Sequence, residues 1–316
     1  MRTAPLFFDA QTVAETLDYA SCMTALRPAM IALSTGADNP LLRSFIGLGE
    51  GRTFALMPGN LGELGFGAKL VSVFQTEQGK THEGLVILFD AETGAPVCVA
   101  DGGAVTRIRT AAMSALATDV LARPDARRLA LLGAGAQARA HAEALMKVRP
   151  FEAIVLWARN PDQARDQARA LEAQTGVAVQ VANTAEAAVT GADVICTVTG
   201  ARDPVLSGDW VQPGAHINLV GSSGPMAAET DAALLLKSTV FPDHRPHVSA
   251  HGGEVLRAVE AGQYATDQLG PEIGQVLAGD KPGRQSDQEI TVYKSLGHAV
   301  QDLSAVAWIY KTHGES

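Results

Sequence analysis

Residues Gly133-Ala134-Gly135-Ala136-Gln137-Ala138 carry the spacing G-x-G-x-x-A between an apolar run, "LALL", and an alanine-rich helical pattern. In that setting the first small residue permits a tight turn, the second lets a pyrophosphate approach the backbone, and the third lets helix and strand pack closely. The helix that follows offers unpaired N–H groups and a positive dipole end to the phosphates. The chemistry implied is dinucleotide binding by Gly133, Gly135, Ala136 and Gln137. Which dinucleotide is read from the end of the next strand, "VLWARNPD", where an NAD site expects an acid for the ribose hydroxyls. Arg159 stands there instead, with Asn160 beside it, and suits a 2′-phosphate. Asp162 fits the first turn of the following helix, where an acid complements the dipole. The cofactor expected is NADPH, with NADH as the alternative.

A second set of residues is basic. Arg43, Arg52, Lys69, Arg107 and Arg109 fall at strand or turn positions in a stretch rich in small and apolar residues. Lys69, in "GFGAKLVSVF", enters an apolar strand, where an unpaired ammonium is costly to bury. Arg109, in "VTRIRTAAMSA", falls at an expected helix start, where the dipole disfavours a cation. Two cations in poor local settings call for an anion. A ligand carboxylate would serve, which Arg holds through its planar fork; the alternatives are an internal salt bridge or exposure of the cations to solvent. Lys294, charged within "TVYKSLG", fits an exposed strand or a site equally well. The residues alone thus imply a hydride cofactor and a small acidic substrate, and leave the reaction open.

The elements that must position these residues divide the chain. Its 316 residues exceed the usual size of one core. From Gln11 to Leu33 the apolar spacing predicts an amphipathic helix that ends in the loop-like "STGADNP". "RTFALMPG", "GAKLVSVFQ" and "EGLVILFDAETGAPVCVAD" predict strands of a largely antiparallel sheet. "TRIRTAAMSALATDVLA" returns to helical spacing and stops before "RPDARR". From Arg128 strand and helix alternate, which predicts a parallel sheet covered by helices. The segment "EITVYKSLGHAVQDLSAVAWIYKTHG" predicts a strand and then a helix of about 16 residues that packs back on the first domain. The fold class expected is α/β. A Rossmann doubly wound parallel sheet domain spans 121–295, and a mixed α+β domain is formed by 1–120 with 296–316.

Composition narrows the partners. A net charge of −9 speaks against nucleic acid, because phosphate neutralisation needs a basic face. No apolar run approaches the ~18 residues of a membrane span, and no signal peptide is visible, so the expected location is the cytoplasm. Cys22, Cys98 and Cys196 are scattered, without a CxxC pair, and no metal site is expected.

Several segments together are similar to the ornithine cyclodeaminase and mu-crystallin family. They are "ALMPG" with Lys69 twelve residues after Met57, "THEGLVILFDAETGAP", "RTAAMSALAT", "LLGAGAQA", "ADVICTVTG", "GDWVQPGAHINLVGSS" and "TVYKSLGHAVQD". The resemblance implies a homodimer, with a Rossmann domain set between an N-terminal substrate and dimerisation domain and a C-terminal helix that returns to it. By position it implies that Arg43, Lys69, Thr81 and Arg109 hold the carboxylate and amine end of the substrate, with His82 beside Thr81. Thr197, Val198 and Thr199, and Val220, Gly221 and Ser222, match loops beside the nicotinamide. Leu296 and Gly297 match the segment that closes over it.

Two departures bear on the activity. Where the cyclodeaminases of this family carry an aspartate, "HINLVGSS" presents Ser223, and a serine is no carboxylate base at neutral pH. The acid that cyclodeaminases carry for NAD is also missing. Both departures fall on the mu-crystallin side, whose members reduce cyclic ketimines. The resemblance therefore implies NADPH-dependent reduction of 1-pyrroline-2-carboxylate to L-proline, or of 1-piperideine-2-carboxylate to L-pipecolate, in proline and amino-acid metabolism. Lys69 or His82 would protonate the nitrogen, and Ser223 would relay. The alternatives are an ornithine cyclodeaminase, an alanine dehydrogenase-like enzyme, and a non-catalytic ligand-binding protein of the mu-crystallin type.

Overall fold

The computed structural model describes residues 4–36, 41–76 and 79–314, so part of the "STGADNP" loop lies outside the described residues. In chain order the elements begin with β1 (Leu6–Phe8), α1 (Ala10–Thr16), α2 (Tyr19–Thr35), β2 (Ser44–Gly49) and β3 (Arg52–Asn60). Next come β4 (Phe66–Thr76), β5 (Gly79–Phe89), β6 (Pro96–Asp101) and the long α3 (Gly102–Leu121). The alternating part holds β7 (Arg128–Leu132), α4 (Ala136–Leu145), β8 (Ala153–Trp157), α5 (Pro161–Thr175), β9 (Val179–Val181), α6 (Ala185–Val189), β10 (Val194–Thr197) and β11 (His216–Leu219). It continues through α7 (Ala232–Leu236), β12 (Thr239–Pro242), α8 (Arg245–His251), α9 (Gly253–Glu260), α10 (Ile273–Ala278) and β13 (Thr291–Lys294), and α11 (Ala299–Gly314) closes the chain. Two compact units result, Met1–Thr110 with His298–Ser316, and Ala111–Gly297. The division falls inside α3 rather than after it, because that helix runs on unbroken from one unit into the other.

In the first unit the strands form one sheet in the order β1-β6-β5-β4-β3-β2. The β1/β6 pair is parallel and the other pairs are antiparallel. Register decides which residues share a face. Lys69 lies opposite Met57 and Val86, and that face, with Phe8, Ala55, Leu88 and Ala100, is buried. Helix α11 packs closely here, since a Cβ at Gly59 of β3 would stand 2.8 Å from Leu303 Cδ1. The opposite face carries exposed apolar residues from β1 to β2: Phe7 at 65%, Ile46 at 57%, Leu56 at 40%, Phe66 at 40% and Leu85 at 39%. The single helix expected from Gln11 to Leu33 is two helices. Asp9 and Asp18 each accept a bond from the N–H three residues on, Thr12 and Ser21, both at 2.8 Å. The second cap starts a new helix after the extended Leu17.

The second unit is a parallel sheet in the order β12-β13-β11-β10-β7-β8-β9. The chain winds outward from β7 through β8 to β9, and then resumes on the other side with β10. The switch between β7 and β10 is where an open α/β sheet leaves a crevice at its carboxyl edge. Strand β12, "TVFP", carries no expectation from the sequence, because so short a run does not distinguish a strand from a turn of helix. Among the described residues no helix is long and apolar enough to cross a membrane.

Candidate active site

The carboxyl edge of the parallel sheet is built by the turns after β7, β10, β11 and β13. Gly133 takes φ +122°, and a Cβ there would stand 2.7 Å from Val198 O, so the turns after β7 and β10 meet at a position only glycine fits. Gly135 is exposed, and a Cβ on it would meet nothing within 4 Å. It is the N-cap of α4 and offers no side-chain cap, which leaves the first N–H groups of that helix to a ligand. Ala136 is exposed beside it, and Ala138 is fully buried where helix meets strand. Gln137 accepts a bond from His141 Nδ1 at 2.8 Å through its carbonyl. The open cradle at Gly135 and the uncapped helix start fit a pyrophosphate. At the end of β8, Arg159 is exposed, whereas Asn160 Oδ1 accepts from Asp162 N at 3.0 Å and Gln163 N at 3.2 Å. Asn160 is thereby the cap of α5, and Asp162 pairs with Arg165 at 2.5 Å.

Thr197, Thr199 and Gly221 are tied together by an acid for which the sequence carried no signal. Glu229, fully buried, accepts Thr197 Oγ1 at 2.6 Å, and Thr199 N, Thr199 Oγ1 and Gly221 N at 2.7 Å each. Burial pushes its pKa up, against the bonds from Thr197 and Thr199. Val198 is half-buried and Val220 buried in the same two turns. Lys294 is no exposed strand lysine. At 1% exposure its Nζ donates to Ser222 O at 2.8 Å and Ser222 Oγ at 2.6 Å, and pairs with Glu254 at 3.0 Å. Ser222 Oγ donates in turn to Glu254. Leu296 N and Gly297 N both donate to Asp243 Oδ2, at 2.8 and 2.6 Å, which holds that segment in place. Ser223 is exposed.

In the first unit, Lys69 and Arg109 converge on Asp302 of α11. Both donate to Oδ1, Lys69 at 2.8 Å and Arg109 Nε at 3.0 Å, and all three residues are buried. Lys69 also donates to Thr106 Oγ1, and Arg109 Nη1 to Gln301 Oε1 at 2.7 Å. The anion that compensates the two cations thus comes from the chain itself. Burial lowers the Lys69 pKa to about 8, as do the charges of Arg109 and Arg43, while Asp302 pulls it back up. Burial alone would raise the Asp302 pKa, and Arg109 with Lys69 outweighs it and holds the carboxyl low. Arg109 lies well past the first turn of α3, because that helix begins at Gly102, so the dipole plays no part in its setting.

Register separates the remaining expected residues. His82, exposed, lies opposite Val73 on the Lys69 face, whereas Thr81 lies opposite Phe74 on the other face and donates to Phe74 O at 3.4 Å. Thr81 is therefore not brought to Lys69. Arg107 is exposed, and Arg52 pairs with Glu50 at 2.9 Å at the surface. Neither joins the buried cluster. Asp302 and Gln301 stand in the quoted segment "TVYKSLGHAVQD", and the available signal was a lone acid on the apolar face of the closing helix.

Fold and sites define a two-unit α/β protein whose Rossmann unit carries a glycine cradle and whose second unit carries a buried cationic cluster. The sequence model of the ornithine cyclodeaminase/mu-crystallin family matches residues 4–316, and the chain belongs to that family. It is 35% identical over 319 residues to ketimine reductase mu-crystallin of Mus musculus, covering 98% of each chain. Among solved structures it is similar to Thermococcus litoralis Delta(1)-pyrroline-2-carboxylate reductase in complex with NADH and L-proline. That match has a TM-score of 0.94 and 28% identity, and covers 98% of each chain. An archaeal alanine dehydrogenase dimer with bound NAD matches with a TM-score of 0.92 and 29% identity, over 98% of this chain and 96% of that one.

Proposed function

We propose that the chain is an NADPH-dependent reductase of cyclic ketimines, an oxidoreductase acting on CH–NH groups. It converts 1-pyrroline-2-carboxylate to L-proline and takes 1-piperideine-2-carboxylate, giving L-pipecolate, as a second substrate. The observation that carries this reading is the buried cluster in which Lys69 and Arg109 share one oxygen of Asp302 while Arg43 adds its charge. Two cations sharing one carboxylate leave positive charge for a second carboxylate, and a cyclic imino acid brings one. Arg109, with two of its nitrogens committed to Asp302 and Gln301, keeps Nη2 for that ligand, and Arg43 adds to the attraction. The T. litoralis relative, whose structure holds L-proline, supports the same substrate class.

The reduced nicotinamide supplies hydride to the imine carbon. An iminium accepts hydride far better than a neutral imine, so the chain must deliver a proton to the ring nitrogen. Lys69, with a pKa of about 8 set first by burial, is charged at neutral pH yet a stronger acid than an ordinary lysine. His82, on the same face of the sheet, is the second candidate. Ser223 is suited to relay a proton and offers no carboxylate for loss of ammonia.

Exposed Arg159, in place of an acid at the end of β8, supports NADPH over NADH. The apolar face that runs from Phe7 to Ile46 supports a homodimer, a sheet face of this kind being an association surface. The three free cysteines support a cytoplasmic location.

The test is oxidation of NADPH and NADH, followed by absorbance, with the five- and six-membered ketimines beside pyruvate plus ammonia, and with ornithine assayed for ammonia release. Turnover of a ketimine with NADPH is expected. If no ketimine is reduced while ornithine yields proline and ammonia, the reductase reading is wrong.

A further inference from the structure

The buried charges of the Rossmann unit take no part in the chemistry above. Glu229 accepts two donors on each oxygen, one of them a backbone N–H on each side, so its hydrogen bonds are satisfied by the carboxylate form. Its neighbour Glu254 accepts Glu229 N at 2.9 Å and pairs with Lys294 at 3.0 Å. Two acids and one lysine, at 0%, 2% and 1% exposure, make a buried cluster whose net charge is −1 with Glu229 held as a carboxylate by its four donors against the burial that raises its pKa. The cluster is tied directly to two turns at the carboxyl edge. Thr197 at the end of β10 and Thr199 just after it bind it, as do Gly221 and Ser222 after β11. No side chain fits between them, since a Cβ at Gly221 would stand 2.1 Å from Thr199 O and 2.5 Å from Glu229 Oε1.

In a doubly wound sheet the turn after the first strand takes the pyrophosphate, and the end of the second strand reads the adenosine ribose. Here those are Gly133–Ala136 and Arg159. The other half of the dinucleotide then lies across the switch point, over β10 and β11, where the charged cluster sits. Resting on the cofactor reading proposed above, we infer that Glu229, with Glu254 and Lys294, sets the electrostatics of the nicotinamide pocket. The net negative charge favours the cationic oxidised ring over the neutral reduced ring and so favours hydride departure.

The charge balance of the step gives this its direction. As the ring C–H bond breaks, both electrons leave with the hydrogen and form a new C–H bond at the imine carbon. The iminium nitrogen loses its positive charge and the ring acquires one. A fixed negative charge beneath the ring turns is preorganised for that change, and in a water-excluded site it acts with little screening. Glu229 is on this account a positioning residue and touches neither substrate nor reacting atoms.

The experiment measures dissociation constants of NADP+ and NADPH for the unsubstituted chain, Glu229→Gln and Lys294→Gln, by calorimetric titration without substrate. Thermal unfolding of each free protein establishes that it is folded. Glu229→Gln takes the cluster from −1 to neutral, and the ratio Kd(NADP+)/Kd(NADPH) is expected to rise by roughly tenfold. Lys294→Gln takes the cluster to −2, and the same ratio is expected to fall. A purely structural role weakens both forms alike, so an unchanged ratio in variants that still bind overturns the electrostatic inference and leaves the cofactor reading standing. If the unsubstituted chain binds neither nucleotide, both readings fail together. Should Glu229→Gln not fold, the sign of the shift in Lys294→Gln decides.

Discussion

Replacing Asp302 by Asn removes the one carboxylate that Lys69 and Arg109 share, at 2.8 and 3.0 Å, without changing its shape. Removing one partner of a buried ion pair costs roughly 3–5 kcal/mol, and the asparagine oxygen recovers about 1 kcal/mol by accepting from one of the two donors. The expected loss is therefore about 2–4 kcal/mol, or a fall in Tm on the order of 5–10 °C. The substitution also acts on Lys69, because the Asp302 charge and hydrogen bond are what oppose burial and hold its pKa at about 8. Without them that pKa falls further. In the parent, Lys69 has a folded pKa of about 8 against an ordinary 10.5, so its contribution to stability is present above 10.5 and lost as pH falls through about 8. In the variant the loss is displaced to lower pH, and the stability deficit narrows as pH is raised from about 7 to about 9. Urea unfolding at the two pH values reads the first effect. The pH profile of kcat/KM for ketimine reduction reads the second, since the falling limb set by protonated Lys69 moves to lower pH. Unchanged stability, or a limb that stays where the parent has it, refutes the shared-carboxylate account.

The two glycines of the cradle are expected to separate folding from binding. Gly133→Ala meets Val198 O at 2.7 Å with φ at +122° and loses stability, about 1–3 kcal/mol from the backbone alone. Gly135→Ala meets nothing within 4 Å, keeps its Tm within a few degrees and loses dinucleotide affinity in titration; intact affinity removes the pyrophosphate from this turn. Arg159→Ala should raise KM for NADPH tenfold or more, on the order of one lost charge-assisted contact, with little change for NADH. Equal effects on both would remove the 2′-phosphate argument. Phe66→Glu, placed in the exposed apolar face, is expected to convert a dimer to a monomer in analytical ultracentrifugation, and a monomeric parent would refute the association reading.

The glycine cradle was legible because its chemistry is local. A turn, a close approach and a helix start follow one another within six residues, so spacing alone carries them. The alternation of strand and helix was legible for the same reason. The break between α1 and α2 was also written locally, in Asp18, but the apolar spacing runs through it and hides the cap. Register was not legible to the same degree. Thr81 and His82 are adjacent in sequence, yet a pleated strand sends them to opposite faces, and only the pairing with Phe74 and Val73 says which one faces Lys69.

By itself, the sequence determined that this chain holds a parallel-sheet unit with a dinucleotide cradle, and that Lys69, once buried in its apolar strand, needs an anion. The tertiary structure decided which anion is present. Asp302 lies 233 positions beyond Lys69 and 193 beyond Arg109, and Glu229 gathers donors from turns that begin 32 residues before it. Such partners are chosen by burial. Once strands and helices close over a charge, its desolvation cost selects whichever opposite charge the packing brings within reach, and no spacing rule along the chain records that choice.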